Sequence, residues 1–468
     1  MIPVDWVAVG PALIVAVGAL VALMVDAFWP FRTWLGPAAV SAVAVIAGGI
    51  ELRHTHGPDR YTFLLSAIIL LGTLFVLVVA HVMNYEQSIP PGEFHFLLLC
   101  SSAGGLTMVA ARDLVTLIVA LELLSLPSIA LVGLRQGDRA AIRSAWTFFL
   151  ASVVSTAITL MGVSLLYGIT GSLSYEAIDD ALLNTTMPHG VVVVAVVLTL
   201  IGLLFKLGAV PFHMWIPDTY RGSSVVVAGY LSAISKAAAL GALFILLAVA
   251  LPHAFHIWMP LMAVVSALTM TLGNIGALRQ NDGVGLLAWS SIAQAGFLIT
   301  PSVGLFAPDG LSAPVQYLAV YALANLVAFS VLAVVLRTRG STSFDELAGL
   351  ARTDLLLGCS LGFSLLTLAG FPPAVIGLLT KYVVLRPVVD AHYYVLATIM
   401  AVNVALGLAY YLRLFVKLFE SPVGEPYVSP SPPYAVRIAR TGVAVGAASL
   451  VVLSAWPNLL FDHILGLP

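Results

Sequence analysis

Charged residues are scarce in this chain, and their scarcity excludes a soluble fold. Aspartate, glutamate, lysine and arginine make up only 9% of the 468 residues, whereas 60% are hydrophobic. A soluble globular protein carries about 25% charged residues. The apolar runs reach the roughly 20 residues that a membrane-crossing helix needs. We therefore expect an integral membrane protein, and the net charge of -2 gives no indication of a nucleic-acid partner.

Cysteine is equally rare. The sequence contains only Cys100 and Cys359, and both lie within apolar runs. This placement argues against a disulfide framework and against iron–sulfur or metal ligation. The chain also lacks a dinucleotide-binding fingerprint and a haem-attachment motif. We therefore predict no cofactor and no metal in this chain. The first residues lack the basic segment of a cleaved signal peptide, so the first span is expected to stay.

Long apolar runs recur along the whole chain and predict an all-α polytopic membrane protein with about fourteen transmembrane helices. The predicted spans are 6–28, 34–51, 62–82, 94–111, 114–134, 141–168, 190–216, 225–251, 257–278, 284–303, 313–337, 355–389, 392–418 and 436–461.

Two of these spans contain helix-breaking sequences. The seventh reads Phe205-Lys206-Leu207-Gly208-Ala209-Val210-Pro211-Phe212-His213, and the twelfth contains Leu368-Ala369-Gly370-Phe371-Pro372-Pro373-Ala374. Proline removes a backbone donor and clashes with the preceding turn. Freed backbone groups need partners in lipid, so such breaks are tolerated only inside a bundle or beside a water-filled cavity.

The positions of the two breaks predict an internal repeat. Broken helices in corresponding places of two halves are typical of transporters built from repeats. The breaks lie five spans apart, and this odd offset implies that the two repeats have inverted topology. Two unrelated proline kinks remain the alternative explanation. The predicted division is an N-terminal three-helix segment (1–92), two five-helix repeats (93–252 and 253–420) and a C-terminal helix 14 (421–468).

Basic residues in the loops predict the orientation, because they concentrate on the cytoplasmic side. Loops after odd-numbered spans carry thirteen basic residues, and loops after even-numbered spans carry four. The odd-span loops are therefore expected in the cytoplasm, with both termini on the outer face of a bacterial inner membrane.

Lysine is the rarest of the basic residues and has an unusual distribution. Only Lys206, Lys236, Lys381 and Lys417 occur, and the first three lie in the middle of apolar spans. Arginine stays protonated in proteins, whereas a buried lysine can exchange its proton near neutral pH. The placement of these three lysines therefore indicates groups that gain and lose protons inside the membrane.

One carboxylate, Glu122, lies near the centre of the fifth span. A charged side chain at that depth costs about 2.5–3.5 kcal/mol, so intramembrane ionisable residues are functional candidates by default. The competing interpretation is a static ion pair between Glu122 and one lysine that only fixes helix packing. Such a pair would explain one of the three lysines.

The motifs around these residues resemble those of a known family. The matching segments, in order, are Asp113-Leu114-Val115-Thr116 through Glu122-Leu123-Leu124-Ser125-Leu126-Pro127, then Phe205-Lys206 through Pro217-Asp218, Ser235-Lys236-Ala237-Ala238, Asn274-Ile275-Gly276 with Leu287-Ala288-Trp289-Ser290-Ser291, and Leu347-Ala348-Gly349-Leu350 with Lys381. They resemble the antiporter-like subunits of respiratory complex I, the proton-pumping NADH:quinone oxidoreductase, and of multi-subunit sodium/proton antiporters. The Ser-Lys-Ala-Ala run and the fourteen-span length favour the N subunits within that group.

The resemblance implies a fold and a role. The fold is two inverted five-helix repeats with two half-channels. The proton path falls on Glu122, Lys206, Lys236 and Lys381, and His213 on the broken helix is a weaker candidate that packing or capping explains equally well. NADH, FMN, iron–sulfur clusters and quinone are then expected on partner subunits, and the other membrane subunits of complex I and the lipid bilayer are the expected partners.

Two departures from the family pattern matter for the proton path. Gln294 stands where many relatives have histidine, and an amide side chain cannot take up a proton. A hydrogen-bonded or water-bridged path at that position stays open. Thr380 replaces the glycine that usually precedes the lysine of the twelfth helix, which could move Lys381 slightly.

Three other functions compete with complex I. The first is a subunit of a sodium/proton antiporter complex without a redox partner. The second is a stand-alone solute carrier, against which the mostly apolar breaks argue. The third is a scaffold with fixed ion pairs, against which the surplus of buried lysines argues.

Overall fold

The computed structural model describes residues 6–28, 35–55, 59–83, 89–422 and 433–464. The helices up to the middle of the chain are α1 (Trp6–Phe28), α2 (Leu35–Thr55), α3 (Arg60–Val79), α4 (Pro91–Ala110), α5 (Leu114–Val132), α6 (Arg139–Thr170), α7 (Tyr175–Leu183), α8 (His189–Leu207), α9 (Trp215–Gly222), α10 (Val225–Tyr230) and α11 (Lys236–Ile245). The remaining helices are α12 (Phe255–Leu278), α13 (Gly283–Ile299), α14 (Ser312–Arg339), α15 (Phe344–Leu347), α16 (Leu350–Thr353), α17 (Leu355–Ala369), α18 (Val375–Asp390), α19 (Tyr394–Phe419), α20 (Pro433–Ala455) and α21 (Asn458–Ile464).

The described part of the chain has the span number that the sequence predicts. Thirteen helical segments are long and apolar enough to cross a membrane, and a fourteenth is added if Phe344–Thr353 and Leu355–Ala369, which meet at 117°, form one span. The all-α, many-span prediction is therefore confirmed. Both chain termini, and Arg32 among the basic loop residues, lie outside the described residues.

Aspartate side chains begin several of the helices. Asp113, Asp138, Asp282 and Asp354 precede α5, α6, α13 and α17, and each carboxylate accepts a hydrogen bond from a backbone N–H of the first turn. A helix leaves its first four N–H groups without an internal partner. A capping aspartate satisfies one or two of them and stabilises the helix by about 1 kcal/mol.

The centre of the bundle is formed by α10, α11, α13 and α14. The most apolar stretches of the segments Val225–Ala250, Gly283–Gly304 and Ser312–Arg339 are about nine-tenths buried within the chain, whereas only 28% of that of Tyr434–Ala455 is buried. Two π-helical turns interrupt this centre. One, Leu231–Ser235, joins α10 to α11, and the other, Leu246–Ala250, follows α11.

Both sequence breaks are real interruptions of the backbone. The helix α8 ends before Gly208, which has φ +77°, and α17 ends before Gly370, which has φ +73°. Residues with a Cβ rarely adopt this left-handed backbone conformation, so both positions favour glycine. In each case the next N–H folds back to a carbonyl of the last turn, which closes the helix end. The broken seventh span therefore divides into α8 and α9, and the twelfth into α17 and α18.

The two halves share a further local feature. An isolated antiparallel bridge pairs Asp113 with Ser174, and a second bridge pairs Asp282 with Ser343. Each aspartate caps a long helix, and each serine begins a short one, α7 or α15. This parallel supports two related halves. The boundaries 1–92, 93–252, 253–420 and 421–468 stay predictions.

Candidate functional site: buried amines at the helix breaks

Lys206 lies in the last turn of α8, two residues before the glycine that ends the helix, and is 1% exposed. Its amine donates a hydrogen bond of 3.0 Å to Ser125 Oγ on α5. The amine also lies 5.2 Å from the centre of the Phe148 ring, a contact that stabilises an ammonium by about 0.5–2 kcal/mol. The unpaired carbonyls at the end of a helix favour a cation as well. The break therefore creates a place where a buried ammonium can exist.

Glu122 lies on α5, one turn before Ser125, and is half-buried. Its carboxylate accepts a hydrogen bond of 2.5 Å from Thr156 Oγ1 on α6. Residues three apart share one face of a helix, so the carboxylate lies near Lys206 and interacts with its amine electrostatically. Among the described side chains the two groups form no direct ion pair, because the amine is bonded to Ser125 instead. The static ion pair considered from the sequence is absent from this conformation.

Lys236 is the first residue of α11 and is fully buried. Its amine donates hydrogen bonds to the backbone carbonyl of Ser291 and, at 2.6 Å, to the Ser291 hydroxyl on α13. This lysine therefore links the last span of the predicted first repeat to the second span of the predicted second repeat.

Lys381 lies on α18 and is 5% exposed. Its amine donates a 2.6 Å hydrogen bond to the carbonyl of Ala369, the last residue of α17, and lies 5.5 Å from the Phe297 ring centre. A methyl group on Gly370 would lie 3.3 Å from this amine, so the glycine also makes room for it. The Thr380 hydroxyl donates a 3.0 Å hydrogen bond to the carbonyl of Ile376, one turn earlier in α18.

All three amines share one electrostatic feature. Each is buried, and each donates to a neutral oxygen: a serine hydroxyl, a backbone carbonyl or both. A buried ammonium without a carboxylate at bonding distance is held less firmly than one in an ion pair, because neutral acceptors offset only part of the desolvation. Such amines can therefore release a proton when a neighbouring charge moves.

His213 is not brought into this group. It lies in the turn between α8 and α9, is 8% exposed, and packs edge-on against Trp289 with ring centres 6.0 Å apart. Its Nδ1 is buried and has no hydrogen-bond partner among the described residues. The packing role that the sequence left open fits this environment better than a place beside the lysines.

Gln294 lies on α13 at the centre of a polar cluster that sequence reasoning missed. Its amide nitrogen donates to Tyr411 Oη at 3.0 Å and to the carbonyl of Leu368 at 3.3 Å. Its amide oxygen accepts a hydrogen bond from Tyr317. The Tyr411 hydroxyl is bonded in turn to Ser290. The cluster includes Ser290, which precedes the serine that binds Lys236, and the carbonyl of Leu368, which precedes the carbonyl that binds Lys381.

Corresponding positions of the two predicted repeats join the capped helix to the broken helix. Ser125 lies twelve residues after Asp113, and Gln294 lies twelve residues after Asp282. Ser125 binds the residue two before Gly208, and Gln294 binds the residue two before Gly370, the second break. A contact between the capped helix and the broken helix therefore occurs in both halves, with the amine in the first half and a carbonyl in the second.

The described residues contain no group of three or more histidine, cysteine or carboxylate side chains that could hold a metal ion. Cys359 is exposed and Cys100 half-buried, on different helices. The buried polar side chains among the described residues are mostly hydroxyls, with a few amides, the three lysine amines and the imidazoles of His95 and His213.

The fold and the site together define a class: a many-span membrane protein with ionisable side chains buried beside broken helices, as ion-translocating proteins have. The family model described as "NADH:quinone oxidoreductase/Mrp antiporter, TM" matches residues 111–407. The chain belongs to this family of membrane subunits, as its motifs predict.

Individual relatives agree with this assignment. NADH-quinone oxidoreductase subunit N 2 of Streptomyces griseus is 40% identical and covers 98% of this chain and 92% of its own length. Subunit N of Geobacillus kaustophilus is 33% identical over 98% and 96% of the two chains. A chain of respiratory complex I from Thermus thermophilus superposes with a TM-score of 0.81 at 28% identity, covering 97% and 98%. A chain of the Mrp complex from Dietzia sp. shares the fold, with a TM-score of 0.82 at 21% identity over 98% and 96%.

Proposed function

We propose that this chain conducts protons as a membrane subunit of an NADH:quinone oxidoreductase, the complex to which its named relatives belong. The observation that carries the proposal is the set of three buried amines, each bonded to a neutral oxygen, two of which (Lys206 and Lys381) lie at the helix breaks. Redox chemistry belongs to other subunits: NADH, FMN, iron–sulfur clusters and quinone are bound there, and this chain contributes proton movement to the enzyme.

The switch is electrostatic. At about 4 Å and an effective dielectric near 20, a carboxylate attracts an ammonium by about 4 kcal/mol. Glu122 held close to Lys206 keeps a proton on the amine. When the carboxylate moves away, the amine loses that support and passes its proton through water towards Lys236 and then Lys381. Thr156, which bonds Glu122, sets one resting position of the carboxylate.

The drive must come from outside this chain, because moving one charge across the membrane takes about 2.3 kcal/mol per 100 mV. The chain therefore works beside other membrane subunits in a bacterial inner membrane, with both termini on the outer face. The arginine-rich loops after the odd-numbered spans support this orientation.

The test uses the assembled complex in inverted membrane vesicles. We expect Lys206→Ala and Glu122→Ala to reduce NADH-driven proton uptake strongly, with the subunit still present in the complex. Arg413→Ala is the control, because this basic residue lies at the surface and donates to the loop after α12. Wild-type pumping in both site variants would exclude the assigned path.

A sodium/proton antiporter subunit is the second candidate, since the matching family model covers both complexes and the Mrp chain shares the fold. Loss of this subunit would then leave NADH oxidation by the membranes unchanged and make growth sensitive to sodium. Impaired NADH oxidation instead assigns it to the oxidoreductase.

A further inference from the structure

The interval between Lys236 and Lys381 is the least explained part of the proton path. The two amines bind acceptors on different helices, Ser291 on α13 and Ala369 at the end of α17. The side chain between them, Gln294, cannot titrate. A proton that passes from one lysine to the other therefore needs a different group.

The orientation of the Gln294 amide is fixed by its neighbours. The carbonyl of Leu368 can only accept, so the amide group facing it must be the NH2 end. The same nitrogen donates to Tyr411 Oη, whose oxygen is thereby an acceptor. The amide oxygen faces Tyr317, so that hydroxyl must be the donor.

This orientation gives the two tyrosines different roles. The hydrogen of Tyr317 is committed to the amide oxygen, which cannot pass a proton on. The hydrogen of Tyr411 is not held by the amide, and either oxygen of the Tyr411–Ser290 hydrogen bond can be its donor, so Ser290 can donate to Tyr411 and leave the tyrosine hydrogen for another acceptor. The Tyr411 oxygen and the Leu368 carbonyl accept from the same amide nitrogen, so the tyrosine hydroxyl lies near the end of α17, one residue before the Ala369 carbonyl that binds Lys381.

We propose that Tyr411 is a further residue of the proton path, a neutral hydroxyl relay between Ser290 on the Lys236 side and a water on the Lys381 side, and that Gln294 is the positioning residue that orients it. The inference rests on the proposed proton conduction. The tyrosine stays neutral overall: its oxygen accepts one proton from Ser290 as its own hydrogen leaves to the water. Ser290 then regains a proton from Lys236 through Ser291 or water. One proton therefore moves, and every O–H bond that is broken is replaced.

Tyr410 supplies a matched control. It is the preceding residue of α19 and is equally buried, at 1% exposure. Its hydroxyl donates a 3.0 Å hydrogen bond to Asn274 Oδ1, and its ring packs against that of Tyr411 with centres 4.4 Å apart. Removing either hydroxyl therefore deletes one oxygen from a buried tyrosine with a polar partner, but only Tyr411 stands in the proposed relay.

The experiment compares Tyr411→Phe and Tyr410→Phe in the assembled complex, in vesicles, with proton uptake measured per NADH oxidised. We expect Tyr411→Phe to lower the pumping rate by roughly tenfold or more, within the range seen when a proton-transfer group is lost. Tyr410→Phe should pump at close to the wild-type rate. Equal effects of the two substitutions would overturn the proposal.

A second variant separates relay from packing. An imidazole at position 294 can take up and release a proton itself, so Tyr411→Phe combined with Gln294→His should regain most of the pumping that Tyr411→Phe loses. Failure of this rescue would mean that the tyrosine acts only through packing. Lys381→Ala distinguishes failure of the relay from failure of the proposed function. If Lys381→Ala abolishes pumping while Tyr411→Phe does not, the relay is wrong and proton conduction by this chain stands.

Discussion

Replacing Ser125 with alanine removes the hydroxyl that holds the Lys206 amine. The bond is 3.0 Å long, and both side chains are 1% exposed, so bulk water cannot replace the lost oxygen. A hydrogen bond to a charged group contributes about 1.5–3 kcal/mol. Taking about 2 kcal/mol, the balance between ammonium and neutral amine at Lys206 moves about 30-fold towards the neutral form.

The helix itself provides the control. Ser128 lies one turn further along α5, is also buried, and bonds to Ser101 and to a carbonyl of its own helix. Ser128→Ala therefore removes the same atom from the same helix without touching the lysine. A general loss of packing on α5 would affect both variants alike.

The assay is proton pumping by the assembled complex at several pH values. Because less ammonium is available in Ser125→Ala, we expect the loss of pumping to be greatest at mildly alkaline pH and to shrink at mildly acidic pH. Ser125→Thr, which keeps the hydroxyl, should restore the wild-type profile. If Ser125→Ala and Ser128→Ala have the same profile, the serine does not control the charge on Lys206 and the reasoning is refuted.

Three further predictions concern the frame around the site. Gly208→Ala forces a Cβ into a left-handed turn, which costs about 1–2 kcal/mol, so the melting temperature of the complex in detergent should fall; Gly168→Ala, with open space around it, should not lower it. Thr156→Val removes the hydrogen bond to the α5 carboxylate and should reduce pumping several-fold, whereas Thr156→Ser should not. Partial burial raises the pKa of Asp138, but two N–H groups of α6 and the Arg135 guanidinium outweigh it and hold the pKa below its usual value. The stability that Asp138 adds is therefore present above its unfolded pKa of about 3.9 and lost as the pH falls through the lower folded value; a melting temperature of Asp138→Ala that differs from wild type equally at neutral and acidic pH would contradict this.

Much of the fold could be predicted because its signals are local. Span number, the family and both breaks follow from apolar runs and from motifs such as the glycine and proline after Lys206. The three lysines stand out because each interrupts an apolar run. Ser125 could also have been found, since it lies three residues after Glu122 and so on the same helix face.

The rest of the site depends on contacts between distant segments. Ser290 and Tyr411 are 121 residues apart, and nothing in either local sequence marks the pair. His213 stays a weaker candidate: it stands beside a break, and in the structure its ring packs edge-on against Trp289. Whether Glu122 touches Lys206 was open for the same reason, because side-chain choice between two nearby partners is decided by packing.

The π-helical turn Leu231–Ser235 sets the azimuth of Lys236. A π turn takes in one residue more than an α turn, so the backbone after it is rotated by about 100° relative to an uninterrupted helix. In an uninterrupted helix the Lys236 amine would point towards another neighbour, and Ser291 would lose the hydrogen bonds that it now accepts from this amine. These five residues therefore decide which face of the span meets α13 and so place the lysine on its serine.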